Sequence, residues 1–307
     1  MRVLIVHSAN AVENVSQYTY IYAQASALRR AGCEVEQFGI QGKGFLGYLR
    51  NLPKLRKVIR DFQPDLIHAH YGLSGLLATL QHQAPVVITF HGSDVNTPRV
   101  RPFSRLAAHR AAWNIFVSPT IRLSNKPNSS ILPCGIDFSP AEEQLGLRSW
   151  AQTVLQPNRK HVLFAGAFDN PVKNATLAKQ VAASIPNVQL IELKGYSREQ
   201  VYALMYACDA LLLTSHSEGS PQVIKEAMAC DLPIVSTNVG DVIERLDGLE
   251  GCFVAHNYDL QHLVNLLRQA LSFQGRTLGR ERIIAQELTN NQIAKKLIHI
   301  YNQVLAQ

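Results

Sequence analysis

Short apolar runs alternate with helical stretches along most of the chain, and this alternation is the strongest constraint on its fold. Residues 2–7 contain a continuous apolar run, and residues 16–31 follow with a helical periodicity that stops before Gly32. Residues 35–40 form the next run of strand type. Apolar runs without polar alternation are typical of strands that are buried on both faces of a parallel sheet. The pattern therefore predicts an α/β fold built from doubly wound sheets.

The same pattern continues to the end of the chain. Further strands are predicted over residues 65–70, 86–90, 113–118, 161–165, 188–193, 210–214 and 233–237, and further helices over residues 258–273 and 289–306. With 307 residues, the chain is long enough for two domains of about 150 residues each. Because residues 139–159 are polar and mixed, they suit a connection between two domains, and we place the boundary after residue 156.

Positive charge is concentrated in the first half of the chain. Residues 1–156 carry 16 Lys and Arg against 9 Asp and Glu, whereas residues 157–307 carry 14 basic and 14 acidic residues. The net charge of +7 therefore belongs to the first half, and it indicates a surface that meets an anionic partner. Nucleic acid is a weak candidate for that partner, because the basic half lacks interleaved aromatic residues and a recognised nucleic-acid motif.

One basic stretch, residues 46–62, carries leucine, isoleucine and phenylalanine at helical spacing and basic residues over much of the remaining surface. Pro53 is expected to kink or split this helix. A basic amphipathic helix is a candidate for binding a membrane surface. A packed helix with a solvated basic face explains the same pattern, and the sequence leaves both interpretations open.

The cysteines and the hydropathy of the chain indicate its compartment. The five cysteines are scattered and include no C-x-x-C pair, as in buried thiols of a reducing compartment. The chain opens directly on a strand rather than on a signal peptide, and its apolar runs are shorter than the roughly 18 residues of a membrane span. These features predict a cytoplasmic protein.

The stretch from Ser215 to Asp241 carries the densest chemical signal. Ser220 is predicted to be the N-cap of a helix, with Pro221 at the first helical position. A loop that enters a helix at the carboxyl edge of a parallel sheet presents free N–H groups and a positive dipole end, which suits a diphosphate. Glu218 and Glu226 lie around that turn, where carboxylates could accept hydrogen bonds from ribose or sugar hydroxyls. Spacing alone equally allows a capping acid and a solvated helix residue.

In its full setting, S-x-x-E-G-S-P-x-x-x-x-E-A-x-A-x-x-x-P-I-V-S, this stretch resembles the E-x7-E motif of retaining GT-B glycosyltransferases of family 4. The resemblance implies that Glu218 lies against the donor sugar and that Glu226 holds the nucleotide ribose. It also implies that the backbone after Glu218 binds sugar and phosphate. The residues concerned are Gly219, Ser220, Pro221 and Gln222.

Two further segments of the second half resemble that family. The segment from Gly166 to Asn174 is similar to the family pattern G-R-L-x-x-x-K-G, in which the Arg and the Lys neutralise the donor diphosphate. Lys173 matches the Lys with one extra residue of spacing, whereas Ala167 stands at the position of the Arg, so one cation is missing. Gly195 and Tyr196 match the family loop that lies beside the base.

The resemblance is looser in the first half. The segment T-F-H-G-S-D is similar to the family segment whose His reaches the donor sugar, which implies that role for His91 and a place lining the cleft for Asp94. The loop after the first strand lacks the usual Gly-Gly pair, although we expect it to border the acceptor side through Asn10. Residues 42–47 read G-x-G-x-x-G but follow the second strand, so they predict a flexible loop rather than a nicotinamide site.

The resemblance implies a GT-B fold, in which two doubly wound Rossmann-like domains face each other across a cleft. The expected domains are an acceptor-side domain over residues 1–156, a nucleotide-sugar domain over residues 157–288, and a last helix over residues 289–307 that returns to the first domain. The expected activity is that of a glycosyltransferase, EC 2.4, that moves a sugar with retention. We expect no cofactor and no metal ion, since the cations and the helix dipole can stabilise the leaving group. His68 and His70 have i, i+2 spacing but no third metal ligand in view.

The acceptor is inferred from charge and family. We expect a lipid-linked glycan of cell-surface polysaccharide synthesis, and a cytoplasmic enzyme that binds peripherally to an anionic inner membrane face. Two alternatives stay open. One is another GT-B enzyme, such as a nucleotide-sugar epimerase or a sugar phosphorylase. The other is a non-catalytic nucleotide-sugar-binding protein, which the missing Arg and the missing Gly-Gly pair favour.

Overall fold

The computed structural model describes residues 1–10, 19–121, 123, 127–138 and 145–307. The chain divides into two compact units, which are described separately below. The first unit contains residues 1–135 and 290–307, and the second contains residues 136–289. The predicted start of the first helix at residue 16 and the loop residues 11–15 lie outside the described residues.

The described part of the first unit is built on a sheet of six parallel strands in the order β2-β1-β3-β4-β5-β6. The strands are β1 (Arg2–Ser8), β2 (Glu34–Ile40), β3 (Leu66–His70), β4 (Val86–Phe90), β5 (Trp113–Phe116) and β6 (Ser129–Ile131). The helices between them are α1 (Thr19–Arg30), α2 (Gly44–Leu49), α3 (Leu52–Phe62), α4 (Gly72–Ala78), α5 (Ser93–Asn96) and α6 (Arg101–Arg110). Every residue of β3 and β4 is buried, and this includes the polar side chains of His68, His70 and Thr89.

The amphipathic stretch over residues 46–62 forms two helices rather than one. α2 ends at Leu49, and α3 begins at Leu52 with Pro53 in its first turn, where a missing N–H breaks no helical hydrogen bond. The apolar positions of α3 are buried in the core of the unit, while Lys54 and Lys57 are exposed. The predicted split at Pro53 is therefore confirmed.

The described part of the second unit has a sheet of five parallel strands in the order β11-β10-β9-β7-β8. The strands are β7 (Lys160–Phe164), β8 (Val188–Glu192), β9 (Ala210–Leu213), β10 (Ile234–Thr237) and β11 (Cys252–Ala255). The helices are α7 (Leu145–Val154), α8 (Ala175–Ala183), α9 (Arg198–Ala207), α10 (Gln222–Ala229), α11 (Val242–Leu246), α12 (Leu260–Ser272) and α13 (Gly279–Ala285). The two sheets confirm the predicted α/β class of the chain.

The division between the units lies earlier in the chain than the boundary predicted at residue 156. Ile136 forms a β-bridge with Thr289, and its N–H donates to the carbonyl of Leu288. α7 packs on α9 and therefore belongs to the second unit, although its sequence reads as a mixed polar connection. Packing of its apolar side outweighs the polar composition that suggested a linker.

The last helix, α14 (Asn290–Leu305), belongs to the first unit and packs on α1. Tyr301 on α14 is fully buried, and its hydroxyl lies 2.6 Å from Nδ1 of His68 on β3. Nε2 of His68 lies 2.7 Å from the hydroxyl of Thr89 on β4. Both nitrogens of this buried imidazole therefore have a partner, and His68 connects α14 to the centre of the sheet.

In the part of the chain that the structure describes, no helix combines the length and the apolar composition that crossing a bilayer requires.

Replacement of His68 by Gln should remove a pH dependence of stability. Burial lowers the pKa of His68 to about 3, so the folded protein keeps this ring neutral while the unfolded chain protonates it below about pH 6.5. The contribution of His68 is thus fully present above pH 6.5 and is lost as the pH falls toward 3. Urea denaturation of the wild type relative to His68→Gln should show a loss of about 1.4 kcal/mol per pH unit between pH 6 and pH 4.

The matched control is His82→Gln, because His82 is exposed. A Gln amide can still accept from Tyr301 and donate to Thr89, so the variant keeps both hydrogen bonds. If the free energy of unfolding changes with pH to the same extent in the wild type and in His68→Gln, the ring of His68 is not held neutral.

Candidate functional site

The turn between β9 and α10 differs from its prediction at the start of the helix. α10 begins at Gln222, Pro221 occupies the N-cap position, and no side chain caps the helix. The hydroxyl of Ser220 instead donates to Oδ2 of Asp241 at 2.8 Å. The predicted N-cap role of Ser220 was wrong, because a carboxylate 21 residues further along the chain accepts its hydroxyl hydrogen.

Glu218 and Lys173 form an ion pair at the carboxyl end of the second sheet. Nζ of Lys173 lies 2.7 Å from Oε1 of Glu218, and the side chains are only 19% and 16% exposed. The hydroxyl of Ser215 donates to the same carboxylate oxygen at 2.8 Å. Gly166 lies directly under this pair, since a Cβ there would be 2.8 Å from Cγ of Lys173. The structure thus brings together three residues that sequence analysis singled out separately.

Glu226 lies one turn into α10, where it is partly buried. Burial raises the pKa of its carboxyl group, and the positive charges of Arg198 and Lys225 oppose that shift. Among the described residues, its carboxylate has no hydrogen-bond partner. A carboxylate of this kind can accept two hydrogen bonds from a vicinal pair of hydroxyls. Arg198 received no role from the sequence, and only its place after the Gly195–Ser197 turn connects it with the site.

An aromatic pair lies beside the start of α9. Gly195 has a φ of +80°, and Ser197 caps α9 through a capping box with Gln200. The ring of Tyr196 meets that of Trp150 edge to face, with centroids 5.5 Å apart. Trp150 comes from α7, the helix that sequence analysis treated as a connection. This pair offers an aromatic surface to a flat ring such as a nucleobase.

A buried polar network supports the turn from below. Arg245 donates to Oδ2 of Asp241 at 2.9 Å, and Nζ of Lys225 lies 3.2 Å from the hydroxyl of Ser220. Asp241 and Lys225 are each 1% exposed, so neither charge is solvated. Sequence analysis gave none of these charged residues a role.

Gly240, the residue before Asp241, has a φ of +60° and packs against the backbone of Gly219. A Cβ at Gly240 would overlap the carbonyl oxygen of Gly219. Only glycine therefore fits both the backbone conformation and the space at this position. The loop that follows β10 thus fixes the backbone of the predicted phosphate-binding turn.

Asp94, predicted to line a cleft, lies inside the first unit. It is 4% exposed, and its carboxylate accepts the backbone N–H groups of Gly72, His91 and Gly92 at 2.9–3.0 Å. Burial raises its pKa to about 6, against the effect of these hydrogen bonds. Asp94 therefore builds the turn that carries His91 and does not present its carboxylate on the surface.

Asn10 joins two loops of the first unit. Its side-chain amide donates to the carbonyl of Gly42 and accepts the N–H of Gly42, both at 2.6 Å. Gly42 in turn packs against Gly47, since a Cβ at Gly42 would lie 2.9 Å from the carbonyl oxygen of Gly47. The G-x-G-x-x-G segment is therefore held by a side chain and close backbone packing rather than being a free loop.

An exposed ion pair lies close in sequence to Ala167, where the family pattern has an Arg. Nζ of Lys194 lies 2.6 Å from Oδ2 of Asp169, two residues after Ala167, and both side chains are more than half exposed.

In the residues that the structure covers, no cluster of three or more His, Cys, Asp or Glu side chains is arranged to hold a metal ion. The second unit therefore offers paired charges, helix N–H groups and a free carboxylate, a set that suits a ligand with both phosphates and hydroxyls.

Two family models match successive parts of the chain. Residues 17–138 match the model described as Glycosyltransferase Family 4, and residues 143–272 match the model described as Glycosyl transferases group 1. A similar curated protein is a teichuronic acid biosynthesis glycosyltransferase, TuaC, of Bacillus subtilis (strain 168). It is 31% identical over 60% of this chain and 55% of its own length. A D-inositol 3-phosphate glycosyltransferase of Mycobacterium marinum is 23% identical over 70% of this chain and 58% of its own. The chain thus spans little more than half the length of these relatives.

Solved structures share the fold. Sucrose-phosphate synthase from Thermosynechococcus elongatus superposes with a TM-score of 0.79 over all of both chains at 19% identity. HepE of Anabaena, solved in complex with UDP-glucose, superposes with a TM-score of 0.73 over 99% of this chain and all of its own at 17% identity. At these identities the likeness concerns the fold, which is the GT-B fold.

Substitution of Gly240 by Ala should destabilise the protein more than the same change at Gly248. Both glycines have a similar positive φ, but no atom lies within 4 Å of a Cβ at Gly248. Gly248→Ala should therefore cost only the backbone term of about 1 kcal/mol, while Gly240→Ala should add about 1–3 kcal/mol from the overlap with Gly219. Chemical denaturation measures both values.

Hydrogen exchange at the amides of Gly219 and Ser220 should become faster in Gly240→Ala and stay unchanged in Gly248→Ala. Equal losses of stability in the two variants, with equal exchange rates, would mean that Gly240 does not support the turn.

Proposed function

The chain belongs to glycosyltransferase family 4, and from that premise we propose that it transfers a sugar from a nucleoside diphosphate sugar to a hydroxyl group of a glycan acceptor, with retention at the anomeric carbon. The observation that carries the proposal is the arrangement around the start of α10. The Lys173–Glu218 pair and the carboxylate of Glu226 flank the start of a helix whose N-cap residue, Pro221, supplies no capping side chain. The helix start and Lys173 suit the phosphates, Glu218 suits the sugar, and Glu226 suits the ribose.

The diphosphate of the donor is proposed to bind at the amino end of α10. Pro221 supplies no capping side chain, and the helix dipole favours an anion at this end of the helix. Lys173 adds a positive charge that is already restrained by Glu218 and by packing on Gly166. When the bond between sugar and phosphate breaks, negative charge grows on the leaving diphosphate, and these fixed groups stabilise it without reorganising.

The sugar of the donor is proposed to contact Glu218 of the second unit. One oxygen of Glu218 already accepts from Lys173 and Ser215, so the other oxygen is the natural acceptor for a sugar hydroxyl. This engagement also makes Glu218 a poor covalent nucleophile, since two donors withdraw charge from it. We therefore favour attack of the acceptor on the face that the phosphate leaves, with the departing phosphate taking the hydroxyl proton.

Binding without transfer is the second candidate function, and Ala167 is the observation in its favour. The family pattern has Arg at this position, so the leaving group loses one cation here. A neutral Ala lowers the stabilisation of the transition state more than that of the bound donor, since the charge on the diphosphate grows during transfer. Analysis of products with and without acceptor separates the functions, because an epimerase changes the donor alone and a binding protein changes neither.

A panel of nucleoside diphosphate sugars should contain one that raises the melting temperature of the wild type. A ligand at 100 times its dissociation constant adds about 2.7 kcal/mol to the free energy of unfolding. Glu226→Gln should remove most of that effect, because an amide accepts hydroxyls more weakly than a carboxylate. Since the pKa of Glu226 is raised, wild-type affinity should also fall as the pH is lowered through that pKa, and the variant should lack this dependence.

The control is Glu250→Gln, an exposed residue of the same unit, which should keep the full ligand effect. If no nucleotide sugar stabilises the wild type, the proposed donor class is wrong, and so is the proposal that the protein transfers a sugar.

The acceptor is proposed to be a lipid-linked glycan at an anionic membrane surface. Leu46 on α2 is 72% exposed and shares one surface with the exposed cations Lys43, Arg50 and Lys54, and the exposed Lys57 follows about one turn later on α3. An exposed apolar side chain within a cationic surface suits the interface of an anionic bilayer. TuaC is named for the biosynthesis of teichuronic acid, which is consistent with a role in polysaccharide synthesis.

The variant Lys54→Glu/Lys57→Glu should bind anionic vesicles at least tenfold more weakly than the wild type. Each basic residue near such a surface contributes about 1 kcal/mol, and screening by salt should reduce wild-type binding in parallel. Co-sedimentation with phosphatidylglycerol vesicles at low salt measures this effect. Arg268→Glu/Lys295→Glu makes the same change of charge at exposed positions elsewhere and should bind like the wild type. The membrane proposal would be contradicted if the wild type did not bind anionic vesicles and glycosylated only soluble acceptors.

A further inference from the structure

The positive charge of the first unit is concentrated in two segments of the chain. Residues 43–60 carry six Lys and Arg, residues 99–110 carry four, and neither segment contains an Asp or a Glu. These segments therefore hold ten of the 16 basic residues of the first half of the chain. The second segment contains α6, a helix to which the sequence assigned no role.

The cations at the start of α6 have no acidic partner within the described chain. Arg99, Arg101 and Arg105 are exposed, and the side chain of none of them forms an ion pair or a hydrogen bond with any residue that the structure describes. Among the same described residues, this also holds for three exposed cations of the other segment, which are Lys43, Arg50 and Lys54. Cations that no internal acid neutralises give this surface a field that attracts an anionic partner.

An aromatic contact brings the two segments together. The ring of Phe45 on α2 stacks on that of Phe103 on α6, with centroids 5.3 Å apart and planes inclined by 18°. Both helices also pack on α4. The two rings are partly buried and lie at the edge of the core of the unit. α2 and α6 are therefore neighbours in space, although α3, β3, α4 and β4 lie between them in the chain.

Each of these helices exposes a leucine beside the aromatic pair. Leu46 directly follows Phe45, and Leu106, which is 45% exposed, lies about one turn after Phe103. Arg105 precedes Leu106 on α6, so cationic and apolar side chains are exposed side by side there as they are around Leu46.

This combination of side chains selects the partner. A polyanion such as nucleic acid would neutralise the cations but leave both leucines in water. An anionic bilayer accommodates both kinds of side chain, because cations meet the headgroups while apolar side chains enter the boundary of the acyl region. The exposed leucines therefore favour a bilayer over a soluble polyanion.

We propose that α6 forms a single membrane-binding face with α2 and the start of α3, and that Leu106 enters an anionic bilayer alongside Leu46. The choice of a bilayer rests on the function proposed above, whereas the part of α6 rests on its contact with α2 and on its unpaired cations. A unit that is held through two helices cannot rotate about the axis of either one. The face thus fixes the orientation of the first unit on the bilayer.

Reversal of charge on α6 tests whether the two segments act as one face. Arg101→Glu/Arg105→Glu should weaken binding to phosphatidylglycerol vesicles at least tenfold, as is expected for Lys54→Glu/Lys57→Glu. All four substitutions together should weaken it about a hundredfold, because contributions within one interface add as free energies. If the segments were separate surfaces of equal affinity, loss of either would weaken binding only about twofold, since the other would still bind.

The α6 variant should keep its fold, because Arg101 lies in the first turn of the helix, where the helix dipole favours Glu. An Arg101→Glu/Arg105→Glu protein that melts and binds vesicles like the wild type would show that α6 is not part of the face.

Fluorescence in vesicles with brominated acyl chains tests insertion independently of charge. The emission of Leu106→Trp and of Leu46→Trp should be quenched beyond that of the wild type, whose own tryptophans are Trp113 and Trp150. The matched control is Leu305→Trp, since Leu305 is 44% exposed and lies on α14, which packs on α1. This control should show no additional quenching.

The outcomes separate the role of α6 from the function proposed above. If binding to vesicles requires Lys54 and Lys57 but is unaffected by the changes on α6, the membrane proposal stands and the role of α6 is wrong. Vesicle-bound protein in which Leu106→Trp is not quenched would also overturn that role. A wild type that does not bind anionic vesicles would contradict both.

Discussion

Both units depend on the parallel alignment of their strands, because this alignment brings loops that are distant in sequence to one edge of a sheet. In the second unit, the loops after β7 and β9 supply Lys173 and Glu218, which form an ion pair, and the loop after β10 supplies Asp241, which accepts the hydroxyl hydrogen of Ser220. In the first unit, the ends of β3 and β4 supply Tyr71 and His91. A mixed sheet would divide each set between two edges.

The sequence predicted what depends on local pattern. Mainly apolar runs located β4 and β9 to within about a residue at their ends, because strands buried on both faces favour apolar residues. Resemblance to a motif selected Glu218, Glu226 and Lys173, two of which the structure places in contact.

Features decided by distant partners could not be predicted in the same way. Ser220 has the composition of an N-cap, but the carboxylate that accepts its hydroxyl hydrogen lies 21 residues away. α7 reads as a linker until its contact with α9 is known, and the contact of Trp150 with Tyr196 goes with that packing. Asp94 was expected to line a cleft because it belongs to the segment T-F-H-G-S-D, whose His resembles a residue that contacts sugar. Its carboxylate is instead occupied by three backbone N–H groups.

The route of the chain between the units has a consequence for how this architecture can be divided. Because residues 290–307 return to the first unit, the second unit is an insertion within the first. Its entry and exit are adjacent, since Ile136 bridges Thr289 and Gly135 packs against Asn290. Residues 136–289 are thus a continuous segment whose ends already meet, as a domain that is excised or exchanged as a cassette requires. The first unit has the opposite character, since residues 290–307 join it only after the whole of the second unit in the chain.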